Sequence, residues 1–330
     1  MPANLTPEYY EAEKAYKEAK TPEEKLRCLE YMLSVIPKHK GTDKMQGDLK
    51  KKIARLTREA EKKSGSGSRK SSLFNIPKEG AGQVVLVGAP NSGKSTLLDT
   101  LTNATATVAD YPYSTPLPQP GMIPFENVNI QLVDLPPIGR EYTETWIPGV
   151  VRNADLALFV VNMTNDDLLD ESEFVVERLE QGKVHLVDKI EKRYKPDGSA
   201  EVKTRMVINR MDDPDAPEVL ELVEEIFKDR YQMWKVESPG KDSFQELPKK
   251  IFDALEVVRV YTKTPGKEPD KSDPVVLPIG STVIDFAFEI HKDLARNLKY
   301  ARIWGKDKYD GQKVPRDYEL VDGDVVELHD

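Results

Sequence analysis

Nine residues constrain this chain more than any others: Gly88-Ala89-Pro90-Asn91-Ser92-Gly93-Lys94-Ser95-Thr96. They fit G-x-x-x-x-G-K-[ST] and stand between an apolar run, Val84 to Val87, and a helical stretch, Thr96 to Leu101. Glycines let such a turn wrap a phosphate, with backbone N–H groups pointing inward. The helix N-terminus behind it adds positive potential. Gly88, Asn91, Ser92, Gly93 and Thr96 are therefore candidate phosphate neighbours. Lys94 is expected to reach the β and γ phosphates, and Ser95 to ligate Mg²⁺. The loop needs a sheet to carry it. Val84–Val87, Ile130–Val133, Ala157–Val161 and Met206–Ile208 are short, β-branched or Leu-rich runs with polar ends. They suit buried strands of a doubly wound α/β sheet.

The base is read elsewhere. Asn209-Arg210-Met211-Asp212 follows the last of these runs. A carboxylate there can accept from guanine N1–H and N2–H₂ together, a donor pair that adenine lacks. Asp134 ends the run Ile130–Val133, where a carboxylate can hold Mg²⁺ through water. Thr115 lies in a Pro- and Tyr-rich loop, Tyr111 to Pro116, and its hydroxyl can complete the Mg²⁺ shell and sense a γ-phosphate.

Around this core the composition changes three times. Residues 1–63 read as a helical unit, with apolar positions Tyr9, Ala12, Tyr16 and Ala19, then Leu26, Leu29, Met32, Leu33 and Ile36 at helical spacing. A third helix near Thr42 carries Met45, Leu49, Ile53 and Leu56. Residues 64–80 read as a flexible basic linker, 81–257 as the nucleotide-binding domain, and 258–330 as a small α+β module. In that module two strands, a helix opened by Thr282 and carrying Val283, Phe286, Ile290 and Leu294, and two more strands are expected. The 330 residues carry a net charge of −9, so the whole chain is not a nucleic-acid-coating protein. Residues 48–71, however, hold nine basic residues against three acidic ones, a segment that can dock on RNA phosphates or simply be a solvated face. One cysteine, Cys28, excludes an internal disulfide framework and reads as core. No apolar run is long enough for a membrane span, and the N-terminus is too polar for a signal peptide. These features point to a cytoplasmic protein without membrane contact. His291 reads as a surface histidine on the polar side of the Thr282 helix.

The motifs together resemble a known family. The phosphate loop, Tyr111-Pro112-Tyr113-Ser114-Thr115 and Asp134-Leu135-Pro136 are similar to the Obg/DRG branch of P-loop GTPases. Val260 to Lys263, Pro274 to Pro278, Ile290 to Leu294, Tyr300 to Gly305 and Asp322 to Val326 resemble that branch's C-terminal TGS module, a ubiquitin-like β-grasp. The resemblance spans roughly residues 80–330. It implies a GTP- and GDP-binding protein that hydrolyses GTP with Mg²⁺ and associates with ribosomes or RNA. It carries the guanine motif to Asn209 and Asp212, with Arg210 where the family usually has Lys. It carries a further base-contacting loop to Glu237-Ser238-Pro239-Gly240, and K⁺ binding to Asn91. Asn91, Lys94 and Thr115 become the candidate catalytic residues. One departure stands out: Pro137 replaces the usual switch II glycine, and proline has no N–H for a γ-phosphate. Hydrolysis is therefore expected to be slow, the alternative being a GTP/GDP-responsive binding module with negligible turnover. A small-molecule kinase is a third reading that lacks an acceptor site.

Overall fold

The apolar runs become parallel strands that alternate their side chains between two helical layers. The computed structural model describes residues 7–18, 22–36, 42, 45–53, 76–102, 117–141, 143–237 and 242–329. In the nucleotide-binding domain, β1 (Gln83–Val87), β3 (Val128–Asp134), β4 (Leu156–Asn162) and β6 (Ala200–Asn209) run parallel, with β1 between β3 and β4 and with β6 beyond β4. Every residue of β1 and β6 is buried. Val85, Val87, Phe159 and Val161 face one layer, made by α4 (Ile147–Asn153), α5 (Leu168–Gln181) and α6 (Ala216–Phe227). Val84, Leu86, Leu158 and Val160 face the other, made by α3 (Lys94–Leu101) and α8 (Leu247–Leu255). This alternation is the period-two geometry of a strand buried on both sides.

Three strands of this domain, and the strand Gln312–Val314 of the C-terminal module, escaped the sequence reading. β2 (Gln119–Phe125) pairs antiparallel with β3 at the sheet edge. It contains Pro120, Gly121 and Pro124, which mask a strand in sequence but are tolerated at an edge. β5 (Val184–Val187) and β7 (Gln232–Lys235) are four residues each. They share one side of β6: β5 pairs with Ala200 to Lys203, and β7 with Arg205 to Ile208. A short helix, α7 (Asp242–Gln245), precedes α8. Residues 76–80, at the end of the segment read as a linker, are fastened to this sheet. Gly80 bridges to Ile130, and Ala81 N–H donates to Asn129 O at 2.7 Å.

The helical unit is present as α1 (Pro7–Glu18), α2 (Pro22–Val35) and a helical stretch over 45–53. Tyr9, Ala12, Leu29, Met32, Ile36 and Leu49 form its core, against which Tyr194 of the nucleotide-binding domain packs. Ala19, Leu56 and most of the basic 48–71 segment lie outside the described residues.

The C-terminal module is a five-stranded mixed sheet in the order β11-β10-β12-β8-β9. Its strands are β8 (Val257–Thr262), β9 (Val275–Pro278), β10 (Tyr300–Trp304), β11 (Gln312–Val314) and β12 (Asp324–His329). The parallel β8–β12 pair flanked by antiparallel partners, with a helix across one face, is a ubiquitin-like β-grasp. The expected single helix is two. Thr282 opens α9 (Val283–Ile290) with a reciprocal capping box to Asp285. His291 then turns extended (φ −162°, ψ 133°), and its Nδ1 accepts Asp293 N–H at 3.2 Å to start α10 (Lys292–Asn297). The break leaves Ile290 exposed and puts Ala295 and Leu298 in the core instead.

Arg259 joins the two domains. Its guanidinium pairs with Asp322 (Nη2 to Oδ2, 2.7 Å) within the β-grasp. It also pairs with Glu126 and reaches Asn127 Oδ1 at 3.2 Å on the β2–β3 turn. It lies 5.0 Å from the Phe252 ring centroid. Asn127 Nδ2 in turn donates to Tyr261 Oη at 2.7 Å. Arg259→Ala is expected to cost roughly 2–3 kcal/mol, the loss of charge-assisted bonds that leave two acids unpaired. Urea unfolding would read this as a lowered midpoint, with the two domains melting separately.

Candidate nucleotide-binding site

The site is built where four parallel strands end. β1 runs out into Gly88, whose missing Cβ would fall 2.5 Å from Val160 O. Asn91 takes the left-handed conformation (φ 58°), which asparagine tolerates better than most residues. Gly93 also lies there (φ 96°), and a Cβ on it would meet Asn209 Nδ2 at 2.2 Å. That contact shows what holds the loop. Asn209 Nδ2 donates to Ser92 O at 3.2 Å, and Asn162 Nδ2 donates to Asn91 O at 3.1 Å. Asn162 and Asn209 are register partners at the ends of β4 and β6. Two side-chain amides thus clamp two consecutive loop carbonyls. Asn209, expected at the base, also ties down the phosphate loop, and its Oδ1 accepts Arg210 N–H at 2.9 Å. Asn162 was not foreseen, because a single Asn after an apolar run carries no motif of its own.

Lys94 is buried under this loop. Its Nζ donates to Ala89 O (2.8 Å), Gly88 O (3.1 Å) and Ser92 Oγ (3.2 Å). Burial draws its ammonium down from 10.5 to about 8, opposed by the charges of Asp134 and Glu171. Ser95 Oγ donates to Asp134 Oδ2 at 2.6 Å. Burial pushes the Asp134 carboxyl up, opposed by the Ser95 bond and by Lys94. Its Oδ1 is buried without a hydrogen-bond partner. A hydroxyl beside an unsatisfied carboxylate oxygen is a hard oxygen set, and these residues fit Mg²⁺. All of them open onto a cleft of about 540 Å³ lined also by Thr96, Gln119 and Pro137.

The neighbouring loops are tied to the same frame. Arg210 is left-handed (φ 67°), Met211 N–H donates to Val236 O at 3.1 Å, and Val236 N–H to Ile208 O at 2.8 Å. This presents Asp212, an exposed residue, just past the end of β6. Switch II is anchored by the buried side chains of Leu135 and Ile138. Pro136 and Pro137 have no N–H, and Ile138 N–H donates to Gly88 O at 3.1 Å. Thr115, Ser238 and Pro239 lie outside the described residues.

Lys94→Ala should weaken nucleotide binding on the order of 10–100-fold with the fold intact, as read by calorimetry and circular dichroism. With Lys94 near 8 in the free site, phosphate restores its charge, so binding above pH 8 takes up a proton. Affinity should then fall from about pH 7 to about pH 9, and this fall should vanish in Lys94→Ala. Asn162→Ala should lower nucleotide affinity roughly three- to ten-fold through the lost loop bond, and it should also lower the nucleotide-free thermal midpoint, because Asn162 Oδ1 accepts Thr164 N–H at 3.1 Å and Thr164 Oγ1 at 3.0 Å.

Comparison with known proteins places this geometry. A family model described as "50S ribosome-binding GTPase" matches residues 83–196, and one described as "TGS domain" matches residues 258–330. A GTP-binding protein of Methanocaldococcus jannaschii is 30% identical over 93% of this chain and 92% of its own. Developmentally-regulated GTP-binding protein 1 of Xenopus laevis is 28% identical over 91% of this chain and 96% of its own. Developmentally-regulated G-protein 3 of Arabidopsis thaliana is 29% identical over 92% and 98%. These matches run along nearly the whole length of the relatives, and the chain belongs to the GTP-binding proteins of the Obg/DRG type with a C-terminal TGS domain.

Proposed function

We propose that this chain is a slow, Mg²⁺-dependent GTPase that works with the ribosome or another RNA-containing translation complex. The observation that carries the chemistry is the convergence of Lys94, Ser95 and the unsatisfied Asp134 Oδ1 on one cleft. Lys94 exchanges its loop carbonyls for phosphate oxygens. Ser95 and Asp134, with Thr115, hold Mg²⁺, which neutralises charge on the β and γ phosphates when bound. Asn209 and Asp212 read the guanine edge, and Ser238 and Pro239 are the further candidate base contacts. Asn91 would help hold K⁺, which would supply a fixed positive charge to the transferring phosphoryl group.

Slowness rests on switch II. The stretch 135–138 has two prolines, and its Ile138 N–H donates to Gly88 O. Neither proline has an N–H for a γ-phosphate. A ligand shifts a conformational equilibrium only through its differential affinity for the two states. The same observation favours a second reading, a GTP/GDP-binding module with negligible turnover, in which Thr115 alone distinguishes the two nucleotides. Ribosome or RNA association draws on the description of the matching family and on the basic 48–71 segment, with the TGS domain as the other contact. A cytoplasmic setting accords with this, and among the described residues no helix is long and apolar enough to cross a membrane.

One experiment separates these readings. Multi-turnover phosphate release from GTP should be slow, should require Mg²⁺, and should run faster in KCl than in NaCl at equal ionic strength. No release in either salt would leave the binding module. GTP and GDP, but not ATP, should raise the thermal midpoint, since a ligand that binds the native state stabilises it; equal stabilisation by ATP would remove Asp212 from the base site. Ribosome co-sedimentation in each nucleotide state tests the partner.

A further inference from the structure

Behind the switch II prolines lies a second cleft, of about 570 Å³. Pro90 of the phosphate loop, Pro136, Pro137 and the start of α5 wall it. Five carboxylates line it, Glu141, Glu144, Asp167, Asp170 and Glu171, against one cation, Arg140. Three of the acids have work inside the fold. Asp167, Asp170 and Glu171 surround the N-terminus of α5, where negative charge offsets the helix dipole. Glu171 also accepts from Asn165 Nδ2 at 2.7 Å. Arg140 lies over the Phe174 ring, 5.5 Å from its centroid.

Glu144 has no such account. It is only 8% exposed, yet among the described residues it accepts no side-chain hydrogen bond and joins no ion pair. Its carboxylate oxygens, which have no partner among the described residues, are not sealed from solvent. Its side chain lines the cleft, so the place left for a partner is the cleft itself. Among the described residues no three acids, histidines or cysteines are arranged to hold a metal ion, which favours an organic cation. The local charge repels phosphate and so opposes RNA here. A guanidinium suits the place: it is weakly hydrated, presents five donors to spaced carboxylates, and its aliphatic stem can lie along Pro136 and Pro137.

We propose that this cleft receives an arginine side chain from a basic segment of a protein partner, with Glu144 as its buried counter-charge. The site is independent of the nucleotide reading, because no nucleotide-contacting group is needed to bind the arginine.

Fluorescence anisotropy of a labelled Gly-Arg-Gly-Arg-Gly peptide against the full chain at low salt tests it. Saturable binding is expected, falling about five-fold or more when citrulline replaces arginine or when Glu144 becomes Gln. Glu268→Gln, an exposed charge in the loop between β8 and β9, should bind as the parent does. Removing a lone buried charge should leave the thermal midpoint of Glu144→Gln equal or higher. Asp170→Asn, on the exposed rim, should also weaken the peptide, and it decides alone should Glu144→Gln fail to fold. Parental affinity in these cleft variants, equal binding of the citrulline peptide, or an equal loss in Glu268→Gln would overturn the proposal. So would displacement by an equal concentration of spermidine, which would assign the cleft to a polyamine.

Discussion

Two amide-to-carbonyl hydrogen bonds, Asn162 to Asn91 and Asn209 to Ser92, are the constraint on which the nucleotide site depends. They exist because β4 and β6 are parallel and in register, so that their last residues arrive side by side under the same loop. β3 contributes Asp134 and β1 leads into Gly88 at the same edge. Four strand ends therefore supply four parts of one site. This is the physical content of the rule that ligands of open α/β sheets bind at the carboxyl ends of the strands. A slip of β6 by one residue would turn Asn209 to the opposite face and remove half the clamp.

The unliganded site is held in a costly arrangement. Lys94 is buried with its charge disfavoured, Asp134 is buried with one oxygen unsatisfied, and Gly93 has no room for a Cβ. Each is a local violation of the rules that stabilise the remainder of the sheet, concentrated where a phosphate and a divalent cation would relieve it. The helical layers compensate. Phe159 and Phe227 on one face and Leu86 and Leu97 on the other are fully buried. Of the phosphate loop, Ala89 packs into one of these layers, and the turn beyond it is held by polar contacts.

Residues with fixed spacing and obligatory chemistry were legible in the sequence. The phosphate loop, Asp134 and the Asn209–Asp212 turn could be named because each residue type has few substitutes there. The central strands were legible because burial on both faces demands unbroken apolar runs. What escaped was decided by partners distant in the chain. β2 is a strand because β3 offers an edge, despite Pro120 and Pro124. Asn162 matters because Asn91 lies 71 residues before it. The α9 helix stops because His291 is held extended and caps the next one, although the apolar spacing through Leu294 reads as continuous. In the same way Asn209 carries a motif whose position was legible and whose contact was not, since an amide can serve a base or a loop equally well.

The β2–β3 hairpin gives the second domain its structural relation to the site. Seven register pairs join its strands, from Gln119–Asp134 at one end to Phe125–Val128 at the other. At about 3.4 Å per residue, the hairpin spans roughly 20 Å. One end carries Asp134, bonded to Ser95 of the phosphate loop; the other carries Glu126 and Asn127, bonded to Arg259 and Tyr261 of the β-grasp. A strand pair is stiff along its length, and both of its ends are fixed by charge-assisted bonds rather than by a loose linker. The β-grasp is therefore oriented by the same strand pair that positions Asp134 beside the phosphate loop. Replacing Glu126 or Asn127 loosens the module without touching the nucleotide cleft, whereas replacing Asp134 alters the cleft without touching the module. Only the hairpin between them belongs to both.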